Sequence, residues 1–148
     1  MKPFRYRLQA VQMLRERREH EAAEQYALAL ARRAQALKRL EDVEHELGLA
    51  RFEIQELVTA GCPVHQINRR QQFCVVIQER RNQCATDLQA AERTVQQRFA
   101  ALLTARQERE AVEKHHAKCL QEHQRGLQRE EQRWLDDLAP RPGLTAHA

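Results

Sequence analysis

The sequence contains one interior position at which a helix must stop. Between Phe4 and Ala139 there is one proline, Pro63, and it lies two residues after Gly61. Proline cannot donate the backbone hydrogen bond that a helix interior needs, and glycine favours helix ends. Chain segments of about 55 and 73 residues on either side contain no comparable break. The sequence therefore predicts two long helices joined by one short turn.

The predicted boundaries are a helix over residues 4–58, a turn over 59–65 and a helix over 66–138. A short connection makes neighbouring helices antiparallel. We therefore predict an all-α fold, a long antiparallel two-helix coiled-coil hairpin spanning residues 1–139. Residues 140–148 are predicted to be a disordered tail.

Composition excludes most other folds. Glycine and proline number four each, aromatic residues make up 5% and charged residues 31% of the 148 residues. Sheet proteins need more turn residues and β-branched side chains. A slender two-helix fold also offers no deep pocket for catalysis, and the sequence contains no phosphate-binding glycine loop or nucleophile elbow. We therefore expect no enzymatic activity and no cofactor.

Apolar residues of the first helix recur at alternating steps of four and three, with Arg33 as the one charged exception. This heptad spacing predicts a seam that packs against a partner helix. The second helix carries a matching but less regular stripe that weakens beyond Val112. The first seam comprises Ala22, Tyr26, Ala29, Arg33, Ala36, Leu40, Val43, Leu47, Ala50, Ile54 and Leu57; the second comprises Ile77, Cys84, Leu88, Ala91, Val95, Leu102, Ala105 and Val112.

Facing residues of an antiparallel hairpin have numbers with a nearly constant sum, here about 124. Phe4 would then face about Leu120, so the second helix would extend beyond the first from about Gln121 to Leu138. This extension carries Leu127, Trp134, Leu135 and Leu138. An uncovered apolar stripe indicates a partner surface. Alternatively, Phe4, Leu8 and Leu14 slide along the second helix and cover part of it.

Basic pairs and triplets raise the question of nucleic-acid binding. They are Arg15/Arg17/Arg18, Arg32/Arg33, Lys38/Arg39, Arg69/Arg70 and Arg80/Arg81, and acidic residues follow almost every one. Such alternation is typical of the salt-bridged face of a coiled coil. We expect no nucleic-acid partner, and keep an RNA-binding helical arm as an alternative that strong salt dependence would reveal.

Histidine and cysteine spacing suggests a metal site only weakly. His116, Cys119 and His123 lie at steps of three and four on one helical face, and Cys62 and His65 flank the turn. Three ligands on one exposed helix lack an organised fourth ligand and supporting hydrogen bonds. We therefore expect no metal. The four cysteines form no C-x-x-C pair, no long apolar run is present, and the first residues do not form a signal peptide, so we expect a cytoplasmic protein.

Three stretches of the chain are distinctive. The first is the opening Phe4-Arg-Tyr-Arg-Leu8, with the charged helix that follows to Ala22. The second runs from Ala60-Gly61 through Ile67-Asn68-Arg-Arg-Gln-Gln-Phe73, and the third from Glu130-Glu131 through Leu135-Asp136-Asp137-Leu138. In this order they resemble the N-terminal helix, the turn with the second-helix entry, and the acidic close of the FliJ family of flagellar export proteins and its YscO-type relatives in virulence secretion.

This resemblance implies a stalk-like coiled coil, similar to the gamma subunit of rotary ATP synthases, that enters a hexameric export ATPase. Family members promote the ATPase hexamer, contact the export gate membrane protein of FlhA type, and are linked to the recycling of export chaperones. It also implies a peripheral location at the cytoplasmic face of the inner membrane. The resemblance leaves the flagellar and virulence branches open, and the FRYRLQ stretch favours the flagellar one.

The resemblance also assigns candidate contact residues. Phe73 and Ile77 match a phenylalanine and a leucine of the family's gate-binding face, and Val43 matches a leucine on the first helix. Glu46 and Ala50 stand where the best-known members have tyrosines, so Phe52 is a candidate substitute. For Phe73 and Ile77, packing in the seam is an equally strong interpretation.

For the ATPase contact we propose Leu127, Trp134, Leu135 and Leu138, on the part of the second helix that extends beyond the first, together with Phe4 and Leu8. A generic coiled-coil scaffold or holdase is the remaining alternative for the whole chain. Stimulation of an export ATPase by the purified protein would separate these functions.

Overall fold

The structure is a computed structural model that describes residues 3–138. Helix α1 runs from Gln9–Thr59, 51 residues, and helix α2 from Val64–Leu138, 75 residues. The described part of the chain contains no strand. The prediction of an all-α, two-helix hairpin is confirmed. The predicted disordered tail lies outside the described residues.

Helix α1 begins at Gln9, five residues later than the predicted start at Phe4. Residues 3–6 are non-helical, and a turn bond from the Gln9 amide to the Tyr6 carbonyl (3.4 Å) precedes the helix. The predicted start was wrong because Phe4 and Tyr6 contact side chains of α2 and do not continue the helical repeat. At the turn the observed ends differ from the predicted ones by one or two residues.

The turn between the helices is built around Gly61. The Gly61 amide donates to the Val58 carbonyl (3.2 Å) and the Cys62 amide to the Leu57 carbonyl (3.1 Å), the pair of bonds that defines a Schellman C-cap. This geometry requires a left-handed residue, and Gly61 has φ of 73°. The carbonyl of Pro63 then accepts the first backbone bond of α2, from Gln66 at 3.0 Å.

The chain divides into two compact units. One comprises residues 20–104 and contains the turn; we call it the turn unit. The other comprises residues 1–19 and 105–148, described from 3 to 138; we call it the terminal unit. Each has its own means of holding its helical segments together.

In the turn unit, a small apolar core holds the two helical segments together. Val43, Leu47 and Ala50 of α1 pack with Ile77 of α2, whose side chain is fully buried, and Ala29 is also buried. Cys74 and Cys84 pack against this core from α2. The buried residues all belong to the predicted seams, and the heptad interpretation is correct at these positions.

Ion pairs of the turn unit show its register. They join Glu53 to Arg70 (3.4 Å), Glu46 to Arg80 (3.2 Å), Glu44 to Arg81 (3.0 Å) and Arg33 to Glu92 (3.8 Å). The rings of Tyr26 and Phe99 also meet, at 5.5 Å between centroids. The residue numbers of each pair add to between 123 and 126, which agrees with the predicted sum of about 124.

In the terminal unit, charged pairs replace apolar packing along part of the interface. Arg15 pairs with Glu108, and Glu19 pairs with both Arg109 and Arg106. Hydrogen bonds to Glu113 and Glu19 raise the pKa of Arg109 above its ordinary value. The positive charge of Arg15 is therefore matched by a negative charge on α2.

Aromatic side chains anchor the N-terminal residues of the terminal unit. The ring of Phe4 lies 5.7 Å from that of His116 and 5.4 Å from that of His123. Tyr6 meets His116 edge-on at 4.6 Å, and its hydroxyl lies 3.0 Å from Nδ1 of His115. Phe4 thus contacts α2 on both sides of Leu120, the residue that the sum of about 124 places opposite it.

Candidate partner-binding surfaces

Three exposed apolar residues share one face of the turn unit. Phe73 lies three residues after Arg70 and seven before Arg80, and Val76 lies four before Arg80. Residues at these spacings lie on the same side of a helix. Leu49 stands in the same relation to Glu46 and Glu53, three after the first and four before the second.

The ion pairs Glu46–Arg80 and Glu53–Arg70 join α1 and α2 across that same side. Leu49, Phe73 and Val76 therefore lie on one face of the hairpin, between two ion pairs. We call this set the turn face. About half of each side chain is exposed (Leu49 53%, Phe73 43%, Val76 52%). An apolar patch bordered by neutralised charges is suited to contact with another protein.

Phe52 is exposed on a different side of α1. It lies two residues from both Ala50 and Ile54, which face α2, and two residues turn a helix by about 200°. Its side chain is 57% exposed. Phe52 therefore points away from α2, and it does not belong to the turn face.

Val43 and Ile77, two of the gate-contact candidates, lie in the core. Val43 is 9% exposed and Ile77 is 0% exposed, and both pack with Leu47 and Ala50. In this conformation they present almost no surface to a partner, and packing is the role that the structure shows for them. Phe73 and Phe52 are the exposed members of the predicted set.

The C-terminal end of α2 carries the second candidate surface. Every residue from 128 to 138 is exposed, including Trp134, Leu135 and Leu138, while Leu127 is half-buried. Trp134 lies seven residues after Leu127 and four before Leu138, so these three share one side of the helix. We call Leu127, Trp134, Leu135 and Leu138 the terminal stripe.

The two N-terminal candidates have different environments. Phe4 is half-buried against His116 and His123, whereas Leu8 remains 40% exposed. Leu14, which could have covered part of α2, is itself exposed. Of these N-terminal residues, Phe4 covers α2 as far as His123. Leu8 and Leu14 stay exposed, so the predicted sliding extends no further.

The histidines and cysteines near the N-terminal anchor form no metal-binding cluster. Among residues 3–138 no group of three or more histidine, cysteine or acidic side chains is placed to hold an ion. His116 and His123 contact Phe4, and Cys119 Sγ lies 3.7 Å from each ring nitrogen of His115. Burial raises the pKa of Tyr6 above its ordinary value, and the nearby Cys119 adds to this effect.

Four of the five basic clusters contain an arginine that is paired with a glutamate. Arg15, Arg33, Arg70, Arg80 and Arg81 each meet a glutamate of the other helix. Pairing of this kind lowers the positive potential that a phosphate backbone would need. The arrangement supports the interpretation of these clusters as coiled-coil ion pairs.

Neither helix, over the residues that the structure describes, is apolar for long enough to cross a lipid bilayer.

The sequence interpretation overlooked two residues of the turn face, Leu49 and Val76. Neither residue belongs to a heptad seam, so the heptad spacing does not point to them. Their signal lies in their spacing from charged residues, three or four positions from Glu46, Glu53 and Arg80, once those charges are known to pair. Only the pairing shows that the leucine of one helix and the valine of the other share a face.

A family model described as Flagellar FliJ protein matches residues 4–143, which is nearly the whole chain. The comparison of this chain with curated proteins found no significant match, and neither did the comparison with solved structures.

Proposed function

Because the chain belongs to the FliJ family, whose members are non-enzymatic components of the flagellar export apparatus, we propose that it is the accessory stalk of the export ATPase. In this role it binds the hexameric ATPase, promotes its assembly and activity, and couples it to the export gate protein of FlhA type. The observation that carries the proposal is the exposure of Trp134, Leu135 and Leu138 in the terminal stripe of a chain that matches the family along residues 4–143.

The terminal stripe is the proposed ATPase contact, together with Phe4 and Leu8. A ring of identical subunits encloses a narrow lumen, and a single helix with an apolar side is slim enough to enter it. Trp134 and Leu138 lie on one side of α2, so they would touch only some of the subunits at a time. Contacts that differ between subunits give each subunit a different conformational energy. A bound protein can in this way favour a different conformation in each subunit of the ring.

The turn face is the proposed contact with the export gate. Phe73 carries the family resemblance, and Leu49 and Val76 extend its apolar area on the same face. Phe52 offers a separate exposed aromatic side chain on α1. Val43 and Ile77 support this surface from the core, because they hold the two helices at the spacing that forms the face.

The same role implies a cytoplasmic protein located peripherally at the inner membrane, where the export gate lies. Contact with export chaperones is a further expectation from the family resemblance. The flagellar family description favours the flagellar branch over virulence secretion.

The ATPase contact can be tested by binding and by hydrolysis. A chain truncated after Glu122 lacks the terminal stripe and should fail to retain the ATPase in a pull-down or to stimulate its hydrolysis. The double substitution Trp134→Ala with Leu138→Ala should weaken both readouts in the full chain. Leu28→Ala is the matched control, because Leu28 is similarly exposed on α1 and lies outside every proposed contact. Undiminished ATPase binding by the truncated chain would refute this contact.

The gate contact can be tested with two neighbouring valines. Val75 and Val76 are both exposed, but about 100° of helix rotation separates them, and only Val76 lies on the turn face. Phe73→Ala and Val76→Ala should weaken binding to the cytoplasmic part of the gate protein, while Val75→Ala should not. Helicity should stay unchanged in all three. Loss of helicity in Phe73→Ala would favour a packing role, and equal effects of the two valine variants would argue against the turn face.

A further inference from the structure

A second apolar seam runs along α1 beside the one that packs against α2. It consists of Ala23, Ala27, Leu30, Ala34 and Leu37, which again recur at steps of four and three. At about 100° per residue these side chains fall within one stripe that is rotated by about 100° from the core seam. Ala27, Leu30, Ala34 and Leu37 are exposed, and Ala23 is half-buried. We call this set the side seam.

A two-stranded coiled coil buries one seam per helix. A helix with apolar residues at further heptad positions is typical of bundles, where it packs against more than one neighbour. The other exposed faces of this part of α1 carry Glu21, Arg32 and Arg39, whereas the side seam carries no charge between Ala23 and Leu37. Its three alanines would let another helix approach closely.

We propose that the side seam is a homodimer interface, in which it packs antiparallel against the same seam of a second copy of this chain. In a two-fold arrangement centred on Leu30, residues whose numbers add to about 60 face each other. Leu37 then lies over Ala23 of the second copy, Ala27 lies over Ala34, and Leu30 meets its own counterpart. The largest side chain at one end thus faces the smallest at the other, as close packing requires.

Charges beside the side seam fit the same register. Glu24 and Lys38 lie on the same flank of the seam, opposite to the flank that faces α2. Antiparallel pairing brings Glu24 next to Lys38 of the second copy, and two-fold symmetry makes this attractive contact twice. In a parallel pair the equivalent flanks of the two copies lie on opposite sides of the interface, so Glu24 and Lys38 of one copy would lie far from both residues of the other. The charge pattern therefore favours the antiparallel self-contact.

Polar residues limit the length of the seam. His20 and Glu41 come next at its two ends, and they would meet each other across the dimer. Between them the contact extends for about 30 Å along α1. One helix pair of this length buries less area than a permanent dimer needs, so the dimer should be weak and concentration-dependent. The side seam shares no residue with the proposed ATPase and gate contacts.

Two leucines of α1 provide the first test. Leu28 and Leu30 are both exposed, at 52% and 37%, but Leu28 lies off the side seam. Sedimentation equilibrium of the full chain, from about 1 µM to about 1 mM, should show a monomer–dimer equilibrium. Leu30→Lys should weaken dimerisation at least about tenfold, whereas Leu28→Lys should leave it unchanged. A wild-type chain that stays monomeric throughout, or equal effects of the two variants, would overturn the proposal.

A charge-reversal cycle tests the register. Glu24→Lys and Lys38→Glu should each weaken dimerisation about fivefold, because each creates two like-charge contacts. The double variant should restore it to within about twofold of wild type. Within one chain these residues are about 21 Å apart along α1, so restoration must come from contact between copies. Failure of the double variant to recover, with helicity intact by circular dichroism, would rule out the antiparallel register.

Discussion

Ile77→Ala measures how much the small core of the turn unit contributes to stability. Ile77 has a fully buried side chain and packs with Val43, Leu47 and Ala50. The substitution removes three carbon atoms, worth about 0.8 kcal/mol each in transfer free energy, or about 2.4 kcal/mol together. A residual cavity adds to this cost. The core has only two helices around it, so neighbouring side chains can move inward, and we expect a total loss of about 2.5 to 3 kcal/mol.

Urea unfolding followed by far-ultraviolet circular dichroism measures this loss as a change in the free energy of unfolding. The midpoint should fall while the slope stays constant, because the substitution changes stability and not the surface exposed on unfolding. Val76→Ala is the matched control, since Val76 immediately precedes Ile77 on α2 and is 52% exposed. It should cost about 0.5 kcal/mol or less.

The comparison of these two variants separates packing from partner contact. If Ile77→Ala costs no more than Val76→Ala, Ile77 does not lie in a core, and the alignment of α1 with α2 described above is wrong. If Ile77→Ala is costly in the free chain, its effect on gate binding must be measured where the variant is still folded. Phe73→Ala does not face this restriction, because Phe73 is exposed.

Two further substitutions test the turn and the N-terminal anchor. Gly61→Ala should lower the free energy of unfolding by about 1 to 2 kcal/mol, because Gly61 has φ of 73°, which residues with a Cβ rarely adopt. Crowding adds nothing to this cost, since beyond the adjacent residues no atom lies within 4 Å of an added Cβ. An unchanged urea midpoint would contradict the left-handed turn. Tyr6 has a raised pKa, so its docking stabilises the fold below the pKa of the unfolded chain, and that contribution is lost as the pH rises through the higher folded value. In a Tyr26→Phe background, phenolate absorbance of the folded protein should therefore titrate at higher pH than that of the urea-unfolded protein, and coincident curves would exclude the anchor.

Much of the fold could be predicted from local chemistry. Gly61 and Pro63 determine where the helices separate, because only glycine readily adopts the required φ and proline lacks an amide proton. Heptad steps from Ala22 to Leu57 predict which side of α1 is covered. The position of the turn then sets the register, which explains why Phe4 lies between His116 and His123.

The start of α1 could not be predicted in the same way. Phe4 and Leu8 lie four positions apart, as apolar residues of a helix do, but in the structure Phe4 and Tyr6 contact the histidines of α2 and lie outside α1. These contacts depend on residues that are distant in sequence. The helical repeat of the first residues contains no signal for them.

The sequence alone determined the number of helices, the seam and the facing pairs, because these follow from the repeat of one helix and the location of one turn. The tertiary structure alone decided which candidate residues are available to a partner. Ile77 and Phe73 lie four positions apart on the same helix, yet Ile77 is fully buried and Phe73 is 43% exposed. The difference arises because burial is set by the neighbouring helix, and the ion pairs that align Leu49, Phe73 and Val76 on one face form only when both helices are in place.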